Sequence, residues 1–266
     1  MPIEAALPVV GVVLLGYACA SFPSSLANGG AARAAISAGA LFTYVAVFIT
    51  IRRSRSEAVQ QAIRFGRPVG LGLAAAAVLG HSVEVFGALA PPLPALLGVG
   101  TWALMFLLLG AAAAEAARHG RSILVGMASS VWAAMISASA TVLYALSLGL
   151  MFMSRMQHVL NGPPSLVVRN MLDGAMSHLL LAPVVAIGAG AATGLAYFIV
   201  RSVRRRTAVM LTAGAALVCG GGITALRVAS TLPRSDRPPY VMLGLLALAI
   251  GLTSLAALFA AVRRQS

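Results

Sequence analysis

Two ionisable side chains lie three residues apart in the apolar stretch "LGHSVEVFGALAPP" (79–92). The i,i+3 spacing places His81 and Glu84 on one face of a helix. An ionised group deep in a bilayer costs about 2.5–3.5 kcal/mol on insertion scales, so such groups usually face the protein interior or water. The pair is therefore a candidate proton or cation site. The alternative is a neutral Glu84 that hydrogen-bonds to His81 or to a neighbouring helix and stabilises packing.

A row of hydroxyl groups follows one face of a later apolar segment. Spacings of seven, four and three residues keep its members on one helical face, and they are Ser130, Ser137, Thr141 and Tyr144. Hydroxyl groups in membrane helices bond to their own helix or to a neighbour, at about 0.6–2 kcal/mol each. The row is therefore a candidate polar pathway, with helix packing as the alternative interpretation.

Methionine and histidine recur directly after this row, in "MFMSRMQH" (151–158). Thioether and imidazole are ligand types that suit Cu(I), and the candidate ligands are Met151, Met153, Met156 and His158. Flexible methionines also fill irregular gaps at helix ends. Packing is the interpretation preferred for this stretch, so the sequence predicts neither a bound metal nor a cofactor.

The composition of the chain indicates that the candidate site residues lie on transmembrane helices. Of the 266 residues, 60% are hydrophobic and 9% are charged, whereas soluble domains have about 25% charged residues. Apolar runs of about 20 residues, enough to cross a hydrocarbon core of about 30 Å, recur along the chain. We expect an all-α fold, a polytopic bundle of about eight transmembrane helices that forms a single integral membrane domain over residues 1–266. The spans are predicted at about 5–27, 32–51, 69–90, 94–117, 122–150, 176–200, 207–229 and 239–262.

Clusters of glycine and proline separate the predicted spans. "NGG" (28–30) follows the first span, "APPLP" (90–94) follows the third, and "NGPP" (161–164) interrupts the longest connection. Such residues end helices because they favour turns or remove a backbone donor. The segment 165–178 in that connection is predicted to be either a short helix on the membrane surface or a lid.

The net charge of +13 comes from arginines, which fall in the short connections between the apolar runs. Thirteen lie in one set of alternate connections and six lie in the other. The positive-inside rule therefore predicts an even number of spans with both termini in the cytoplasm. Arginine at helix ends meets anionic lipid headgroups, so the charge does not indicate a nucleic-acid partner. The chain has no lysine, which excludes Schiff-base chemistry on a lysine side chain.

The sequence carries no phosphate-binding loop, HExxH or G-x-S-x-G motif. We therefore do not expect an enzyme. Alanine- and arginine-rich usage is typical of a GC-rich bacterial genome and predicts a multi-pass protein of the bacterial cytoplasmic (inner) membrane. The expected function is a transporter or permease-like component for a small solute or ion. The alternative is a non-transporting membrane sensor or an assembly subunit of a larger membrane complex. The expected partners are the lipid bilayer and either a second copy of the chain or a membrane complex.

Overall fold

A computed structural model describes residues 3–86 and 93–201 of the chain. The predicted all-α class is confirmed for these residues, which form helices joined by short connections. The helices are α1 (Ile3–Ser21), a short 3-10 helix (Pro23–Leu26), α2 (Gly30–Arg53), α3 (Glu57–Phe86), α4 (Leu93–Gly120), α5 (Ile123–Met151), α6 (Met153–Leu160) and α7 (Pro164–Arg201). The predicted spans at 207–229 and 239–262, and most of the predicted turn at 90–94, lie outside the described residues.

Five of the described helices, α1, α2, α3, α5 and α7, are long and apolar enough to cross a membrane. Large apolar side chains such as Val13, Leu79 and Val184 lie exposed on them. In water such surfaces would be costly, whereas lipid tails are as apolar as these side chains. The chain is therefore a helical membrane protein.

Turns built from asparagine, glycine and proline lie where the sequence predicts them. Asn28 and Gly29 have φ values of 51° and 87°, and Gly29 caps the start of α2. Asn161, with φ of 48°, caps the end of α6 shortly before Pro164 begins α7. Glycine and asparagine adopt this left-handed backbone most readily, and proline fits the first turn of a helix. Both predicted breaks are therefore confirmed.

Two helices extend beyond the predicted spans. α3 begins at Glu57 rather than near residue 69, and it continues through Pro68. α7 begins at Pro164 rather than near residue 176, so the segment 165–178 is neither a separate surface helix nor a lid. Hydropathy marks the apolar part of a helix and not its more polar extension, which is why these starts are not visible in the sequence. At 1.5 Å per residue, the 38 residues of α7 extend about 57 Å.

The described residues form two compact units. The first includes residues 3–60, 70–86, 93–97 and 133–184, and the second includes residues 61–69, 98–132 and 185–201. In the first unit, α1 packs against α2 through buried side chains that include Leu15, Leu41 and Phe48. An ion pair between Glu4 and Arg52, with 3.8 Å between Oε1 and Nη2, brings the start of α1 to the end of α2. The two helices are therefore antiparallel.

Two polar contacts join α2 to α7 in the first unit. Nε of Arg33 lies 2.5 Å from Oδ1 of Asp173, near the start of α2. Further along α2, the buried Tyr44 hydroxyl donates a hydrogen bond of 2.5 Å to the carbonyl oxygen of Leu179. A phenol that donates to another helix is satisfied without water, so the bond fixes how α2 lies along α7.

We expect Tyr44→Phe to lower the free energy of unfolding by about 1 kcal/mol, because it deletes one buried hydrogen bond and keeps the ring. Thermal unfolding of the detergent-purified protein measures the change. Tyr17→Phe is the matched control, since Tyr17 is 61% exposed on α1. Equal melting temperatures for the two variants would contradict the assignment of a stabilising role to the Tyr44 bond.

The second unit is built from close contacts between α3, α4 and α5. Backbone atoms of Gly126 on α5 lie against Ala113 and Ala117 of α4, where a Cβ on residue 126 would approach the Ala113 carbonyl oxygen to 2.7 Å. The Ser130 hydroxyl donates a 2.9 Å hydrogen bond to the carbonyl oxygen of Leu109. Small residues and interhelical hydroxyl bonds are how helices associate in lipid. This part of α5 is therefore a packing surface.

Candidate functional site

A partly open cavity of about 200 Å³ lies in the first unit, between α3, α5, α6 and α7, and its lining residues Asn170 and His178 are exposed. Its polar and sulfur-bearing lining residues are His81 of α3, Thr141 of α5, Met156 of α6, and Asn170, Met171 and His178 of α7. The rest of the lining consists of glycine and aliphatic residues. A water molecule takes about 30 Å³ in the liquid, so the cavity has room for several waters or for one small solute.

Two imidazole rings come together at this cavity. The ring centres of His81 and His178 lie 6.1 Å apart, and the ring planes make an angle of 79°. Nδ1 of His178 lies 2.9 Å from the carbonyl oxygen of Gly174. A carbonyl oxygen only accepts hydrogen bonds, so Nδ1 carries the proton and donates it. In the neutral ring, Nε2 of His178 is then left with its lone pair and can accept a proton or bind a cation.

A hydroxyl pair holds α3 against α5 beside His81. The Ser82 hydroxyl donates to the carbonyl oxygen of Val78 at 2.7 Å, and Oγ of Ser82 lies 2.6 Å from the Tyr144 hydroxyl oxygen. Because the Ser82 proton is directed to Val78, Tyr144 is the donor in the second bond. The bond connects the residue next to His81 to α5, so it positions the His81 backbone relative to the cavity.

The four residues of the predicted hydroxyl row have different environments in the structure. Thr141 lines the cavity, and Tyr144 bonds to Ser82 as described above. Ser137 is half-buried and does not line the cavity, while Ser130 lies in the second unit and bonds to Leu109. Only Thr141 among the four predicted residues is therefore a lining residue of this cavity.

The four residues of the predicted methionine and histidine cluster do not all lie at the cavity. Met151 is 76% exposed, Met153 is half-buried and His158 is exposed, and none of them lines the cavity. Met156 does line it. Arg155, next to Met156, donates a 3.3 Å hydrogen bond to the carbonyl oxygen of Phe86 and so links α6 to the end of α3.

The predicted His81 and Glu84 pair is described only in part. Residue 84 belongs to α3, but its side chain lies outside the described part of the structure. The described ionisable group across the cavity from His81 is His178 of α7. Asn170 and Met171 also line the cavity, and no motif in the sequence marks either of them as a site residue. One signal in the sequence could have pointed to Met171. Residues 171, 174 and 178 are three and four positions apart, so they share a face of α7 when residues 164–201 form a single helix.

The donor atoms of the cavity are imidazole nitrogen, thioether sulfur, and the oxygen and nitrogen atoms of a hydroxyl and an amide group. Within residues 3–86 and 93–201, no three side chains of histidine, cysteine, aspartate or glutamate come together as a metal site. The cavity instead combines the two imidazoles with the thioether-bearing Met156 and Met171. No protein-family model, no curated protein and no solved structure matches this chain.

Proposed function

We propose that this chain is a multi-pass protein of the bacterial inner membrane that binds a small cation or polar solute in the cavity and transports it. The observation that carries the proposal is the meeting of His81 and His178 across a cavity of about 200 Å³. Both histidines fall within helix segments apolar enough to span a membrane. Ionisable groups at such positions are costly and are typical of substrate or proton pathways.

The cavity lies toward the end of α3. His81 precedes the last residue of α3, Phe86, by five positions, which is about 7–8 Å along the helix axis. With the predicted topology this end of α3 belongs to the outer half of the membrane, so a bound ion would exchange with the outer side. The proposal involves no chemical conversion of the bound species. Self-association or membership of a membrane complex is compatible with it.

Reconstitution into liposomes of phosphatidylethanolamine and phosphatidylglycerol tests transport directly. Trapped pyranine reports proton entry, and trapped chelating dyes report entry of Zn(II) or Cu(I). We expect at least one flux above that of protein-free liposomes, and we expect His81→Ala or His178→Ala to reduce it tenfold or more, because each removes an imidazole from the cavity.

His158→Ala is the matched control for the flux measurement, since His158 is exposed like His178 but does not line the cavity. Its flux should equal that of the unchanged protein. Absence of flux for every probe in well-folded protein overturns the transport proposal. If a probe still binds in that case, the alternative of a membrane sensor is supported, and a stoichiometric partner in detergent extracts would support an assembly subunit.

A further inference from the structure

We infer that the cavity binds a soft monovalent metal ion of the Cu(I) type through His81, His178 and Met171, with Met156 at the same cavity as a further sulfur donor. The inference rests on the proposed function and names the class of cation that the site would take. Imidazole and thioether ligands select Cu(I) over hard cations. The described lining residues include two imidazoles and two thioethers, whereas Ca²⁺ and Mg²⁺ prefer carboxylate and carbonyl oxygens.

The separation of the two imidazoles fits a single ion between them. A metal–nitrogen bond of about 2 Å and a further ~1 Å from each nitrogen to its ring centre predict ring centres about 6 Å apart when two rings bind opposite sides of one ion. The observed separation is 6.1 Å. The same distance suits a T-shaped ring contact, and the thioethers of Met156 and Met171 at the same cavity are what favour a metal ion between the rings.

The hydrogen bond of His178 is of the kind that prepares a histidine for metal binding. Metal-ligating histidines usually donate their second ring N–H to a carbonyl or carboxylate, which fixes the tautomer and the ring orientation. The bond from Nδ1 of His178 to the Gly174 carbonyl oxygen does this within α7. It leaves Nε2 as the ligand atom.

A glycine makes the space for one of the sulfur atoms. A Cβ built on Gly149 of α5 would lie 2.5 Å from Sδ and 2.8 Å from Cε of Met171. Real Cβ atoms do not come this close to sulfur, so any side chain at residue 149 would displace the Met171 thioether. Gly149 is therefore a positioning residue. Its substitution would move the Met171 thioether and leave every proposed ligand side chain chemically unchanged.

Titration of the purified full-length protein with Cu(I) under anaerobic reducing conditions, in competition with bicinchoninate, tests the site. We expect one Cu(I) per chain. His81→Ala and His178→Ala should each weaken binding tenfold or more, and Met171→Leu should weaken it about tenfold while preserving side-chain volume. Gly149→Ala should weaken it severalfold. Met151→Leu and His158→Ala are the matched controls outside the cavity, and they should leave the affinity unchanged.

X-ray absorption distinguishes a metal site from a purely structural role for these residues. The bound copper should have both nitrogen and sulfur neighbours, at distances near those that zinc makes to the same elements, about 2.0 Å for nitrogen and about 2.3 Å for sulfur. Met171→Leu should reduce the sulfur signal and leave the nitrogen signal, an outcome that a packing role for Met171 would not produce. Gly149→Ala and Met171→Leu keep the test valid if removal of a histidine prevents folding.

Several outcomes overturn the inference. Unchanged Cu(I) affinity in the His81→Ala, His178→Ala double variant does so, as does an equal loss in the Met151→Leu control. Stoichiometric Zn(II) binding without Cu(I) binding also overturns it. If proton flux persists while Cu(I) fails to bind, this inference fails and the proposed transport function stands. If Cu(I) binds through these residues and no flux is seen, the site stands and the transport function fails.

Discussion

Replacing Gly66 with leucine is expected to lower the free energy of unfolding by about 3 kcal/mol, the upper end of typical overpacking costs. A Cβ at residue 66 of α3 would overlap the carbonyl oxygen of Ser129 and lie 3.2 Å from Cβ of Trp132. The overlapped atom belongs to helix backbone and not to the flexible end of a side chain. The helices α3 and α5 would therefore have to separate within the second unit, and several buried contacts would be lost.

Gly72→Leu on the same helix is the matched control, because no atom lies within 4 Å of a Cβ at that position. Leucine is the better helix former by roughly 1 kcal/mol, so helix propensity favours both variants equally. Thermal unfolding in detergent, followed by tryptophan fluorescence, compares them. Equal melting temperatures for the Gly66→Leu and Gly72→Leu proteins would contradict the close approach of α3 and α5.

Arg52→Ala is expected to destabilise the first unit by about 1–3 kcal/mol. The Glu4 side chain is 1% exposed, and the Arg52 guanidinium is a cation beside it. Removing one partner of a fully buried ion pair costs about 3–5 kcal/mol. The expected value is smaller because the Arg52 side chain is 41% exposed and water screens part of the interaction. The neighbouring exposed Arg53 provides the control, and Arg53→Ala should change the melting temperature little.

A double-mutant cycle isolates the interaction between Glu4 and Arg52. In the Arg52→Ala background, Glu4→Gln removes the buried charge and should recover part of the lost stability. Thermal unfolding of the four proteins gives the coupling energy directly. Additive effects of the two substitutions would show that the pair does not stabilise the contact between α1 and α2.

The features of the fold that depend only on residues adjacent in the sequence could be predicted from the sequence. The breaks at Asn28–Gly29 and at Asn161 were correct because left-handed backbone and proline act locally. The start of α7 at Pro164 was not predicted, since its first turns are less apolar than the span that follows. A break near residue 176 placed 165–178 in a separate segment, and this separation hid the cavity face of α7.

The site was only partly predictable for a related reason. His81 and Thr141 stand out as polar residues in apolar segments, and both line the cavity. The partner of His81 could not be found from spacing, because His178 belongs to a distant segment that approaches only when α3 and α7 fold together. Ser130 shows that a shared helical face does not by itself assign a residue to the site. It shares a helical face with Thr141, but the neighbour that gives it a role is a carbonyl oxygen of α4.

The bonds between α2 and α7 set an order of events during synthesis of the chain. Tyr44 and Leu179 are 135 residues apart. At 5–20 residues per second, α2 leaves the ribosome about 7–27 s before its acceptor on α7 exists. The same delay applies to Arg33, whose carboxylate partner is Asp173. The α1 and α2 hairpin must therefore exist for this time without its bonds to α7, stabilised by contacts of its own such as Glu4 with Arg52, and it acquires α7 as a neighbour late in translation.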